Sequence, residues 1–111
     1  MKKLAPVFAG LLLCLSTTVF AEEHFDAALE HANAAVAEGK AGKAPSMVVH
    51  AKAALDHSLA ASLITKSVQK NHIDAASDSL QEAIDQGNLN HVKPATKSAE
   101  EAVTHLKAAK K

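Results

Sequence analysis

The 111-residue chain has no tryptophan, tyrosine or arginine, and only one cysteine, Cys14. A lone cysteine rules out an internal disulfide. Without arginine, and with 12 lysines matched by 12 carboxylates, the chain lacks the cationic excess that dominates nucleic-acid binding, so no nucleic-acid partner is expected. Neither a phosphate-cradling glycine loop nor a His-Glu-x-x-His element of the zinc proteases occurs. Glu-x-x-His, the element of di-iron bundles, is absent too. Ser58 follows His57 directly, and adjacent helical residues point about 100° apart, so the two do not form a catalytic dyad. A non-enzymatic protein is expected.

What is present begins with a leader. Lys2 and Lys3 precede an apolar run from Leu4 to Leu15, then polar Ser16 to Thr18, then Val19-Phe20-Ala21. This is the layout of a cleaved secretory signal, with small or β-branched residues where a signal peptidase reads. Interrupted by Pro6 and Gly10, the run is too short to span a membrane. Bulky Leu13 argues against lipidation at Cys14. The expected organisation is therefore a signal over 1–21 and one domain over 22–111, exported to the periplasm with no membrane attachment after cleavage. Cys14 leaves with the signal, as do Lys2 and Lys3, so the mature domain has 10 lysines against 12 carboxylates, a formal charge of −2, and all seven histidines. Its only aromatic is Phe25, and 21 of its 39 apolar residues are alanine. Alanine favours helix and lets helices approach closely, but the core it makes is thin.

Aligned with itself at an offset of 48 without gaps, the chain gives 11 identities over 38 positions. They include His24/His72, Asp26/Asp74, Gly39/Gly87, Ala54/Ala102 and His57/His105. The matched glycines and histidines point to a duplicated helical hairpin. Phe25, Leu29, Ala32 and Val36 make one apolar face at the helical period. Gly39 is the expected left-handed stop, and Pro45 suits the first turn of the next helix, whose face is Val48, Ala51, Leu55 and Leu59. The second copy offers Ile73, Leu80 and Ile84, then Gly87, then Val92, Ala95, Ala99, Val103 and Leu106. Asn71 with Asp74 resembles a capping box, and Pro94 implies an adjusted first turn in the last helix. The join between copies, about Leu63 to Asn71, could extend the second helix or dock against the next hairpin. Together the four faces predict an all-α fold, a small antiparallel four-helix bundle made of two duplicated hairpins.

The histidines fall on stripes. His24 and His31 are seven apart, with Glu38 continuing the line; His50 and His57 form a second line, and His91, Ser98 and His105 a third. Each stripe lies roughly 120° from the apolar face, which places the rings beside the core and within reach of solvent. In an antiparallel hairpin, residues at one height have a constant sum of numbers. By that rule His24 faces His57, His31 faces His50, and His72 faces His105; Ser79 and Ser98 occupy the fourth rung, and His91 shares its height with Gln86. Two histidines seven apart on one helix are about 10.5 Å apart along its axis, too far for one ion whose nitrogen bonds are only about 2 Å. A first shell must therefore combine helices. Depending on the hand of the hairpin, each pair either meets over the seam between its helices or points outward; the sequence leaves both open. Oxygen ligands could come from Glu30, Glu38, Asp26, Asp56 or Asp78, of which Glu38 is best placed, and from Glu101 near the fourth helix.

Imidazole and carboxylate without sulfur suit borderline divalent ions, with affinity peaking at copper(II), weaker for nickel(II) and zinc(II), and weaker again for cobalt(II). Calcium and magnesium prefer oxygen-rich cages. Partly open surface sites predict several ions of moderate affinity, released as pH falls through the histidine range. The rival expectation is a non-catalytic periplasmic interaction or stress-response protein with incidental metal affinity.

Several stretches carry a family resemblance: His24-Phe25-Asp26-Ala27-Ala28-Leu29-Glu30-His31-Ala32, Ala35-Val36-Ala37-Glu38-Gly39-Lys40, His50-Ala51-Lys52-Ala53-Ala54-Leu55-Asp56-His57, and Glu100-Glu101-Ala102-Val103-Thr104-His105-Leu106. With His91-Val92 and Ala95-Thr96-Lys97 they cover nearly all of the mature chain, and it resembles the small metal-binding protein family of ammonia-oxidising bacteria. That resemblance implies a monomeric, histidine-rich periplasmic four-helix bundle that binds several divalent metals, copper foremost, in storage, buffering or tolerance. It also implies His24, His31, His50, His57, His72, His91 and His105 as ligands. Ser79, Gln81, Gln86 and Ser98 stand where relatives carry more histidine or charge, so the first hairpin is expected to bind more strongly.

Overall fold

The structure, a computed structural model, describes residues 17–110, with side chains from residue 22 onward. The expected signal segment lies outside the described residues as far as residue 16. Four helices follow one another: α1 Thr17–Lys40, α2 Ala44–Leu63, α3 Ser67–Asn88 and α4 Val92–Lys110. Three-residue turns make consecutive helices antiparallel, and each helix packs on two neighbours in the ring α1–α2–α3–α4, α4 closing onto α1. The broader interfaces lie within the two hairpins. This is the four-helix bundle expected from the four apolar faces. Among the described residues no helix is long and apolar enough to cross a membrane.

The two hairpins contribute differently to the core. From α1 the fully buried residues are Ala28, Ala32 and Ala35, while Phe25, Leu29 and Val36 pack partly buried at the edge. The larger buried side chains come mostly from the second hairpin, with Ile73, Leu80, Ile84, Val103 and Leu106, supplemented by Met47 and Val48 of α2. Alanine faces allow short interhelical distances, and between α1 and α2 this draws the flanking stripes together. Between α2 and α3 the contact is partly polar. The Ser58 and Ser77 hydroxyls are 2.7 Å apart and the Ile73 carbonyl lies 3.2 and 3.1 Å from them, so one hydroxyl donates to the other and the second to the carbonyl. Ser58 is thus buried in the core, separated in direction from its neighbour His57.

The repeat extends to the turns that close the hairpins. In the first, Gly42 donates to the Gly39 carbonyl at 3.0 Å and Lys43 to the Glu38 carbonyl at 2.9 Å; in the second, Asn90 donates to Gly87 and His91 to Gln86, both at 2.9 Å. This is the paired hydrogen-bond pattern of a Schellman ending. Its left-handed residues are Gly42, φ 78°, and Asn90, φ 63°, one repeat apart. The expected stop at Gly39 is therefore three residues early. Gly39 and Gly87 are buried inside helices, and their role is close approach: a Cβ on Gly39 would run into Thr96 and stand 2.8 Å from Met47 Sδ, and one on Gly87 would stand 2.5 Å from Val48 Cγ2.

Three other expectations change. The α3 helix begins at Ser67, so Asn71 is inside it and caps nothing; Asp74 instead accepts from Ser62 and from Lys70 Nζ at 2.9 Å. Those two donors hold the Asp74 carboxyl below its ordinary range. Leu59 does not continue the buried face of α2, being half exposed, and the join does not dock: Leu63, Ile64 and Val68 are exposed. Pro94 sits in the first turn of α4, where its missing N–H has no intrahelical role.

Candidate metal-binding site

The α1 and α2 helices carry their histidines beside the alanine contact, half-buried and facing one another across the seam. His24 Nδ1 lies 3.0 Å from His57 Nδ1, and His31 Nδ1 lies 3.4 Å from His50 Nδ1. Of the two hands the sequence left open, the hairpin has the one in which each pair meets over the seam. The rungs are also joined: the His31 and His57 rings stack, 5.7 Å between centroids and 4° from parallel. The first hairpin thus holds one row of four imidazoles, His24, His57, His31 and His50.

The diagonal stack has a simple cause. Helical Cα–Cβ bonds tilt toward the N-terminus of their own helix. In antiparallel helices, His31 leans along α1 toward the 24/57 rung, while His57 leans along α2 toward the 31/50 rung. The two inner rings converge, and His24 and His50 lean outward. Constant-sum pairing treats rungs as level and misses this; adding the tilt would have found it.

In the second hairpin the His72 and His105 rings are 6.5 Å apart and tilted by 30°. Ser79 and Ser98 replace the other rung, Ser98 being buried. His91, exposed at the closing turn, has Nδ1 3.0 Å from Gln86 Oε1, so it meets the residue expected at its height. Glu38 is half-buried near the first turn, two helical turns beyond His31. Among the described residues no group of three or more His, Cys, Asp or Glu side chains converges as an ion-holding set. Glu38 therefore does not join a histidine pair, nor do Glu30, Asp56, Asp78 and Glu101, which are exposed; Asp26 pairs instead with Lys110 at 3.7 Å.

Chemically, each close pair offers two nitrogens. In the metal-free pair one ring carries its proton on Nδ1 and the other accepts. Two nitrogens bound to one ion at about 2.0–2.1 Å stand roughly 2.8–3.4 Å apart between square and tetrahedral angles. Both observed separations lie within that span. Partial burial, reinforced by neighbouring His24 and His31 and opposed by Asp56, lowers the affinity of His57 for a proton. This keeps its ring in the neutral form that binds metal.

Sequence comparison supplies the family. The profile of the family described as small metal-binding protein matches residues 1–109. The chain belongs to the small metal-binding protein family. No curated protein matches the chain. The family description is that of a binder.

Proposed function

We propose that this small metal-binding protein, cleaved after Ala21 and acting in the periplasm as a monomer, buffers or stores divalent transition metals, copper(II) foremost, on the histidine row of its first hairpin. Nickel(II), zinc(II) and cobalt(II) would be weaker occupants. The observation that carries the reading is the 3.0 and 3.4 Å separation of facing Nδ1 atoms. An ion takes the place of the shared proton, which passes through solvent to Nε2 of the same ring, and water completes the ion's coordination. Two pairs in one row hold ions that remain open to exchange, which suits a buffer better than a locked structural site. His72 and His105 form a looser pair of lower affinity, and His91 contributes least.

The test is equilibrium dialysis of the mature chain against copper(II) at pH 7.5 and pH 5. More than one ion is expected at the higher pH, with substantial release at the lower. His31→Asn/His57→Asn should remove the seam's share of this capacity, a larger loss than His72→Asn/His105→Asn causes. Equal losses from the two double variants would overturn the assignment to the first hairpin. The exposed Leu63, Ile64 and Val68 favour a second reading, a non-catalytic interaction protein with incidental metal affinity. That reading gains if dialysis shows no more uptake than an unrelated helical protein with the same number of scattered surface histidines.

A further inference from the structure

Cleavage after Ala21 creates a ligand set that the uncut chain lacks. The new chain begins Glu22-Glu23-His24. We infer that this terminus is a second kind of metal site, selective for copper(II) and nickel(II), built from four nitrogens. These are the α-amine of Glu22, the backbone nitrogens of Glu23 and His24, and His24 Nδ1. The inference rests on the cleavage proposed above and not on the seam.

Connectivity supports the chelate. From amine to first amide and from first to second amide, two five-membered rings close on the ion; from the second amide through Cβ and Cγ to Nδ1, a six-membered ring closes. Histidine must be third for this, and neither the second nor the third residue can be proline, because both nitrogens must carry a removable proton. Glu23 and His24 satisfy both conditions. The ammonium proton and two amide protons pass to solvent. The resulting ligand set, with two anionic nitrogens, neutralises the divalent ion. A planar four-nitrogen set matches the geometry preferred by copper(II) and nickel(II), whereas zinc(II) has no such preference.

The fold supplies the second condition. In the uncut chain α1 starts at Thr17, so the N–H groups of Glu23 and His24 face the carbonyls four residues back, at Val19 and Phe20. The cut removes those acceptors. Glu22, Glu23 and His24 then become the first helical residues, whose N–H groups have no intrahelical partner. Unwinding them to wrap an ion breaks no helical bond donated by those groups. Glu22 and Glu23 are exposed, so an ion can approach.

The terminal site shares one atom with the seam. His24 Nδ1 faces His57 Nδ1 at 3.0 Å, so an ion at the terminus that engages His24 Nδ1 withdraws it from His57. The outer histidine of the row thereby becomes a point where an ion passes between terminal chelate and seam.

Three forms of the mature chain test this: one starting at Glu22, one with its α-amine acetylated, and one with a single alanine added before Glu22. All keep seven imidazoles. With one equivalent of copper(II), the native start should show a visible band shifted to shorter wavelength by four nitrogens in a plane. With one equivalent of nickel(II) it should give a diamagnetic yellow complex. Both signatures should be lost in the acetylated and extended chains. Identical spectra from all three overturn the site, as does terminal sequencing of the exported protein that finds a start other than Glu22. The native start carrying His31→Asn/His50→Asn/His57→Asn separates the two readings. The terminal signatures should survive there, whether or not the seam binds metal in the unsubstituted chain.

Discussion

The two hairpins share a backbone plan and differ in what they present to solvent. Their closing turns repeat the same hydrogen bonds, with Gly42 and Asn90 in the same left-handed place. Their histidine seams do not match. The first has four rings in one row, linked by the stack of His31 on His57; the second has one pair 6.5 Å apart. Changing His31 to its repeat equivalent, Ser79, removes both a rung partner and the diagonal link. Duplication thus preserves the frame, while a few substitutions on the outer stripe determine how many facing imidazoles each half presents.

The largest expected effect comes from reversing that change. In Ser79→His, a half-buried position on the outer stripe should gain a ring that leans toward His105 as His31 leans toward His57. Copper(II) dialysis should then show tighter binding at the His72–His105 pair, an effect removed again by His105→Asn. No gain would mean that the diagonal contact is incidental to binding.

A smaller effect should be common to both halves. Gly39→Ala and Gly87→Ala each place a methyl group against the methionine or valine of α2. Overpacking typically costs about 1–3 kcal/mol, and relief of glycine's helix penalty returns about 1 kcal/mol. A net loss of up to about 2 kcal/mol is expected at each site by urea denaturation. Stabilisation by alanine at either would show that the helices can separate there at little cost.

The smallest effect belongs to the first half. Because His57 binds protons less readily when folded, the unfolded chain takes up more protons as pH falls, and acid favours unfolding. The stability concerned is present above the ordinary histidine value of about 6.5 and is lost as pH drops through it toward the lower folded value. Melting temperatures of the metal-free chain at pH 7.5 and 5 should therefore draw closer together in His57→Asn than in the unsubstituted chain.

Much of this arrangement was legible in the residues. The offset of 48 and the helical spacing of Ile73, Leu80 and Ile84 were enough for four antiparallel helices, and constant sums placed three histidine pairs on matching rungs. The hand of the hairpin was not legible, because it depends on how the two apolar faces settle against the rest of the bundle. Gly39 misled because a glycine near a helix end usually marks the end; here neighbouring α2 and α4 claim its missing Cβ, and Gly42 ends the helix. Leu59 follows the apolar pattern but stands off the buried face, which Ser58, Ala61 and Ser62 fill around it, and Leu63, Ile64 and Val68 are exposed about the turn between α2 and α3. The terminal chelate depends on no periodicity at all, only on which residue comes third after the cut.

The serine pair between α2 and α3 carries one more consequence. By the repeat, the positions matching Ser58 and Ser77 are Leu106 and Leu29, both packed in or against the core, so where one hairpin brings a hydroxyl to a junction the other brings a leucine. A first hairpin joined to another molecule's first hairpin would set Ser58 against a leucine at position 29. Two second hairpins would set Leu106 against Ser77. Only the union of unlike halves matches both junctions, which is how a twice-written motif tells its own other half from a stranger's copy of itself.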